Sequence, residues 1–217
     1  DLYYQMYKPE QAFPNHNKAL EMAHELGDEE LIGELLSSLA FDNLASGDID
    51  KAYKLAKDAY DISKRIGVRI YMIKALNALV EIYLERQDNE LDTCVAKLLE
   101  SAKDDFSEYG SNAHYLIGKY YQSKNNPLQA KGFFSSALER AIKGGFKKLE
   151  WESRFMLGQL MTSSPEEKEF FSLGMKELET AVEIVSSTAS TLTSEENASD
   201  FLKIPQIKEI LEFKSRT

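Results

Sequence analysis

Three histidines, a single cysteine and a few adjacent acid pairs are the residues of this 217-residue chain best equipped for chemistry. A nucleophile with its base, or a metal set, needs such groups to converge on one point. His16, His24 and His114 form no converging set by their spacing, and the chain contains neither a phosphate-binding loop nor a Cys/His metal pattern. Glu29-Glu30, Asp104-Asp105 and Glu166-Glu167 fall at expected helix starts or exposed faces. Adjacent carboxylates on a helix point apart, so they read as dipole compensation and solubility rather than as an acid/base pair. Cys94 lies in a helical pattern with no basic neighbour in sequence, which fits a buried, inert thiol. Gly144-Gly145, flanked by Lys143, Lys147 and Lys148, has the parts of a phosphate cradle but reads as a helix stop followed by a restart. No catalytic residue, metal site or cofactor is expected, and the chain does not read as an enzyme.

Composition narrows the partners. A net charge of −10 and a pI near 4.9 oppose a phosphate backbone and an anionic membrane surface alike. The expected partner is a protein or peptide, with a small polar ligand as the other possibility, and neither nucleic acid nor membrane. One cysteine makes no internal disulfide, and no run reaches the roughly 18 apolar residues of a membrane span. A reducing, cytoplasmic setting is therefore expected. Asn197-Ala198-Ser199 fits a glycosylation acceptor, a pattern short enough to arise by chance.

The elements that must position any functional surface are helices in pairs. Leu31, Leu35 and Leu39, then Ile49, Ala52, Leu55, Ala56 and Ala59, recur at three-and-four spacing, which gives each helix one buried stripe. Gly27, Gly67, Gly110 and Gly145 close the second helices at intervals of 40, 43 and 35 residues. Turns inside the pairs fall midway, at Gly47-Asp48, Gln87-Asp88, Asn125-Asn126-Pro127 and Ser164-Pro165. The pairs span about 28–66, 68–109, 111–144 and 146–190, after a remnant in 1–26 with a turn at Lys8-Pro9-Glu10 and Pro14 near the start of its second helix. Asp92 replaces an expected alanine, which predicts looser packing or a shifted register in the third pair. Asn126, Pro127 and Gln129 form a complete helix-start signal, as do Ser164, Pro165 and Glu167. Residues 186–191 read as a frayed end or loop, Thr193-Ser194-Glu195-Glu196 as the start of a short helix, and Pro205 as a divider between two amphipathic segments.

Gly118, Tyr121, Ala130, Phe134 and Ala137 follow Gly-x2-Tyr-x8-Ala-x3-Phe-x2-Ala, which resembles the tetratricopeptide repeat. The period of about forty residues is longer than the usual 34 or so, and armadillo or HEAT-like repeats are the other family of similar period. The resemblance implies an all-α, right-handed α-solenoid of about five helical hairpins over residues 1–190, with a capping segment over 191–217. His114 then takes a position often held by Trp and His16 one held by Phe, so both become packing residues, and His24 stays solvated on a polar face. Tyr3 stands nine residues before Ala12, as Tyr121 does before Ala130. The first repeat therefore reads as truncated and the chain as part of a longer one.

In this family the first helix of each pair lines a concave groove. The candidate binding residues this implies are Ser37, Phe41 and Leu44, then Lys74, Asn77 and Glu81, then Tyr115, Lys119 and Gln122, then Phe155 and Gln159. The family's carboxylate clamp is not reproduced, so recognition of a chaperone C-terminus is not expected. The tail from Phe201-Leu202 through Pro205 to Leu211 resembles the ends of tetratricopeptide arrays in large bacterial signalling ATPases, though it lacks their usual arginine before Phe-Leu. Together these imply a non-catalytic binding module, the sensor or partner-docking arm of a larger signalling protein. The alternative is a free-standing adaptor that holds an extended peptide or helix in its groove.

Overall fold

The computed structural model describes residues 9–163, 168–192 and 194–216, and shows eleven helices with no strand among them. They are α1 (Pro9–Leu26), α2 (Glu29–Ala45), α3 (Ile49–Ile66), α4 (Arg69–Arg86), α5 (Leu91–Ala102), α6 (Glu108–Ser123), α7 (Pro127–Gly144), α8 (Lys147–Thr162), α9 (Lys168–Thr191), α10 (Glu195–Lys203) and α11 (Pro205–Arg216). The chain is all-α, as its periodicity predicts. Tyr3, the 164–167 capping signal with Glu166-Glu167, and Thr193 lie outside the described residues.

Local chemistry sets the helix boundaries. Asp28, Asp48, Asn126 and Ser194 each cap a helix by accepting a hydrogen bond from a backbone N–H three residues on. Gly67 and Gly145 end α3 and α7 in the left-handed region, with φ of 77° and 72°, where a side chain would be strained. Gly110 departs from that expected role. It lies buried inside the first turn of α6, because the preceding helix has already ended at Ala102. Residues 186–191, expected as a frayed end or loop, are helical, since α9 continues to Thr191. The Thr188 and Thr191 hydroxyls donate to the carbonyls of Ile184 and Thr188, which lets polar residues stay helical there.

The chain divides into two compact units, residues 1–120 and 121–217. In the first, α1 packs on α2, α2 on α3 and on α4, α3 on α4, and α4 on α5. Its core joins Ala23 of α1, Ile32, Leu35 and Leu36 of α2, Ala59 of α3 and Ala75 of α4. From Ile73 to Val80, α4 is buried at every position, so over two turns it shows no solvent face. Gly33 lies where α2 meets α3, and a Cβ there would stand 3.0 Å from Ser63 Oγ. Asp92, which stands in place of an expected alanine, is exposed, and the buried stripe of α5 runs through Leu91, Cys94, Val95, Leu98 and Ala102.

In the second unit α7 packs on α8, α8 on α9, and α9 on both α10 and α11. Ala130, Phe134 and Ala137 are fully buried, and the Tyr121 ring stacks on Phe133 at 5.4 Å. Gly158 of α8 and Gly174 of α9 mark a close approach of the two helices. A Cβ on Gly158 would stand 2.4 Å from Leu178 Cγ, and one on Gly174 would stand 2.8 Å from Met161 Cβ.

Candidate functional site

The polar residues of the first unit gather on α2, α4 and the start of α6. Spacings of three and four residues put Glu34, Ser38 and Asp42 along one line of α2 and Tyr71, Lys74 and Asn77 along one line of α4. Because α2 packs on α4, the two lines face one another. Lys74 Nζ donates to Ser38 Oγ at 2.7 Å, lies 3.8 Å from Glu34 Oε1 and sits 5.1 Å from the centre of the Tyr109 ring on α6. Asn77 Nδ2 donates to the Tyr109 carbonyl at 2.9 Å. Asp42, fully buried, is held 2.6 Å from Nδ1 of His16 on α1.

Burial governs the electrostatics. Desolvation lowers the proton affinity of Lys74, an effect opposed by the carboxylates of Glu34, Asp42 and Glu108. Tyr71 is raised, first by burial and then by Glu34, to which its hydroxyl donates, and by Glu30 and Asp28. The Oδ1 atoms of Asp42 and Asn77 are buried without a hydrogen-bond partner among the described residues. The arrangement combines an ammonium, hydroxyls, an amide and carboxylates around an aromatic face, with no metal-holding group of His, Cys, Asp or Glu among the described residues. It suits the holding of a polar group.

The predicted groove residues fall into three sets. Lys74 and Asn77 come together in this cluster, with Ser37 fully buried and Phe41, Leu44 and Glu81 half-buried on the same two helices. Tyr115 and Lys119 form a pair on α6, with Nζ 5.9 Å from the ring centre. Gln122, on the same helix, is exposed and belongs to the second unit. Also in that unit, Phe155 is buried and Gln159 Nε2 donates to Glu209 Oε1 of α11 at 2.9 Å. Of the repeat positions, Gly118 is buried on α6.

Sequence reasoning missed Glu34, Ser38, Asp42, Tyr71 and Tyr109, and it read His16 as a packing residue. His16 is instead the polar partner of Asp42. The available signal was a polar side chain repeated every four residues along the otherwise apolar α2. His114 is buried, as a packing position requires, and His24 is exposed.

No protein-family model matches the sequence, and no curated protein matches it. Among solved structures, the crystal structure of BtubC (BKLC) from P. vanneervenii is similar, with a TM-score of 0.62 at 15% sequence identity. The likeness covers 95% of this chain and 92% of that one. At such identity it bears on fold alone. No helix among the described residues is long and apolar enough to cross a membrane.

Proposed function

We propose that this chain is an α-solenoid of tetratricopeptide-like helix pairs that acts as a non-catalytic binding module, the partner-docking or sensor arm of a larger cytoplasmic signalling protein. The observation that carries the reading is α4, buried all round from Ile73 to Val80 and packed on α2, α3 and α5. A helix loses every solvent face when its own pair partner covers one side and neighbouring pairs cover the others, which is how stacked repeats bury a continuous core. Contact between first helices of successive pairs, α2 and α4, supports the same stacking. The half-buried Phe41, Leu44 and Glu81 of α2 and α4 then face a ligand together with α6, where the half-buried Tyr115 is an anchor and Lys119 a flanking charge. The bacterial source of the larger protein rests on the resemblance of the tail.

The test is capture of a partner from source lysate by the wild type and by a Tyr115→Ala, Lys119→Ala double variant matched in melting temperature. Removal of a central aromatic anchor is expected to weaken retention by about 2 kcal/mol or more, and loss of Lys119 to reduce its salt sensitivity. A partner retained equally by both proteins places the interaction elsewhere and removes this groove.

A further inference from the structure

We propose that a strip along α3, facing α5, docks a short, extended acidic segment of a partner protein. The strip lies on second helices of the pairs rather than in the groove, so it goes beyond the binding reading above and takes a partner of its own.

The sequence builds the strip. Tyr53, Lys57, Tyr60 and Lys64 recur at spacings of four, three and four, which lines them along one face of α3. Ala52, Ala56, Ala59 and Ser63, the next line round the helix, are buried. That packing leaves both tyrosines half-buried and both lysines exposed. Because α3 and α5 each pack on α4, a residue of α5 can reach the strip, and Lys97 does. Its Nζ stands 5.8 Å from the centre of the Tyr60 ring, as does that of Lys64, and Lys57 Nζ stands 6.0 Å from the centre of Tyr53.

These ammoniums are positioned but not neutralised. A ring attracts a cation through its negative face without cancelling its charge. None of Lys57, Lys64 and Lys97 has a carboxylate at ion-pairing distance among the described residues. The acids at the Tyr53 end are engaged, Asp50 by Arg86 and Glu90 by the Tyr83 hydroxyl at 2.9 Å. Elsewhere the chain pairs its cations: Arg65, further round α3, holds Glu29, and Lys143, Lys147 and Lys203 hold acids three or four residues away. In a chain with 36 acidic and 26 basic residues, three neighbouring ammoniums held against rings and left without carboxylates offer a place for carboxylates from outside.

The dimensions select the occupant. From Tyr53 to Lys64 the strip runs roughly 16 Å, the length of about five residues of extended chain. Alternate side chains of such a chain share one face, so three acids at alternate positions span the strip. A nucleic acid or an anionic membrane extends past it, over a chain of net charge −10. A short segment stays within it, where charges beyond roughly 8 Å are screened at physiological salt.

The test is calorimetric titration of N-acetyl-Glu-Ala-Glu-Ala-Glu amide at about 150 mM salt into the wild type and three double variants. Lys64→Gln with Lys97→Gln removes two exposed charges from the strip, and Lys176→Gln with Lys208→Gln removes two exposed charges from α9 and α11. Tyr115→Ala with Lys119→Ala alters the groove. The expected result is about tenfold weaker binding by the strip variant, binding within about twofold of wild type by the other two, and loss of binding when glutamine replaces the peptide's glutamates. Backbone amide resonances of α3 and α5 shift on saturation. No binding by the wild type, equal weakening in the two lysine double variants, or undiminished binding of the glutamine peptide overturns the proposal. A short DNA duplex bound more tightly than the peptide, with the same dependence on Lys64 and Lys97, overturns the choice of occupant. Loss of peptide binding in the Tyr115, Lys119 variant alone moves the acids to the groove and also overturns it. The groove reading survives every one of these failures, since it rests on the captured partner.

Discussion

Burial within α5 pushes the Cys94 thiol up to about 12, an effect that the nearby Lys97 offsets only in part. The folded value lies above the ordinary 9.0, so as pH rises the unfolded chain loses this proton first. The stability this group contributes is fully present below pH 9 and is lost between there and 12. At about pH 10 the loss from this thiol amounts to about 1.4 kcal/mol. Wild type is therefore expected to lose that much more stability than Cys94→Ala between about pH 8 and 10, measured by denaturant unfolding. Parallel losses in the two proteins would show the thiol to be solvated. The burial of Cys94 was legible from its helical pattern, whereas Lys97, one turn on, is a basic neighbour that pattern did not bring out. The Asp42–His16 pair was not legible, because its members stand 26 residues apart and meet only once α1 has packed on α2. Lys74 and Asn77 were legible as candidates by their place on a first helix. Their burial was not, since periodicity shows which face of a helix is apolar but not that a neighbour covers the opposite face as well.

At the scale of elements, small residues decide how closely helices approach. A Cβ on Gly158 meets Leu178 Cγ at 2.4 Å and the Gly174 carbonyl oxygen at 2.9 Å, and both belong to a packed helix with little room to yield. Gly158→Ala is expected to destabilise the protein by about 1–3 kcal/mol. Gly132 is exposed within α7, and a Cβ there meets nothing within 4 Å. Gly132→Ala is expected to stabilise by about 0.5–1 kcal/mol through helix propensity. Melting temperatures that move in the same direction for both variants would contradict the α8–α9 contact. Turn chemistry made most boundaries readable: Gly47-Asp48 and Asn126-Pro127 each mark a helix start in the sequence and in the structure. The misreadings have local causes. Gly110 looks like a helix stop, yet α5 is only 12 residues long and ends well before it. The serines and threonines of 186–191 look like a loop, yet their hydroxyls bond back to the helix's own carbonyls. Gly174 carried no signal at all, because its role depends on its alignment with Met161 across the packed pair.

For the molecule as a whole, the likeness to BtubC spans nearly the full chain and bears on the helical fold alone, while its 15% identity leaves function to the surfaces. The net charge of −10 is unevenly used. Acids converge on the α2, α4 and α6 face, whereas Lys57 and Arg86 lie over the Tyr53 ring, and Lys64 and Lys97 over the Tyr60 ring, on the α3 side of the first unit. The central claim is that partners meet the first of these faces. Its most direct measurement is amide hydrogen exchange on the whole chain, with and without the captured partner. Slowed exchange is predicted over 34–42, 71–81 and 108–119, with α3 and α5 unchanged. Protection confined to α3 and α5, or to the second unit, would contradict the account.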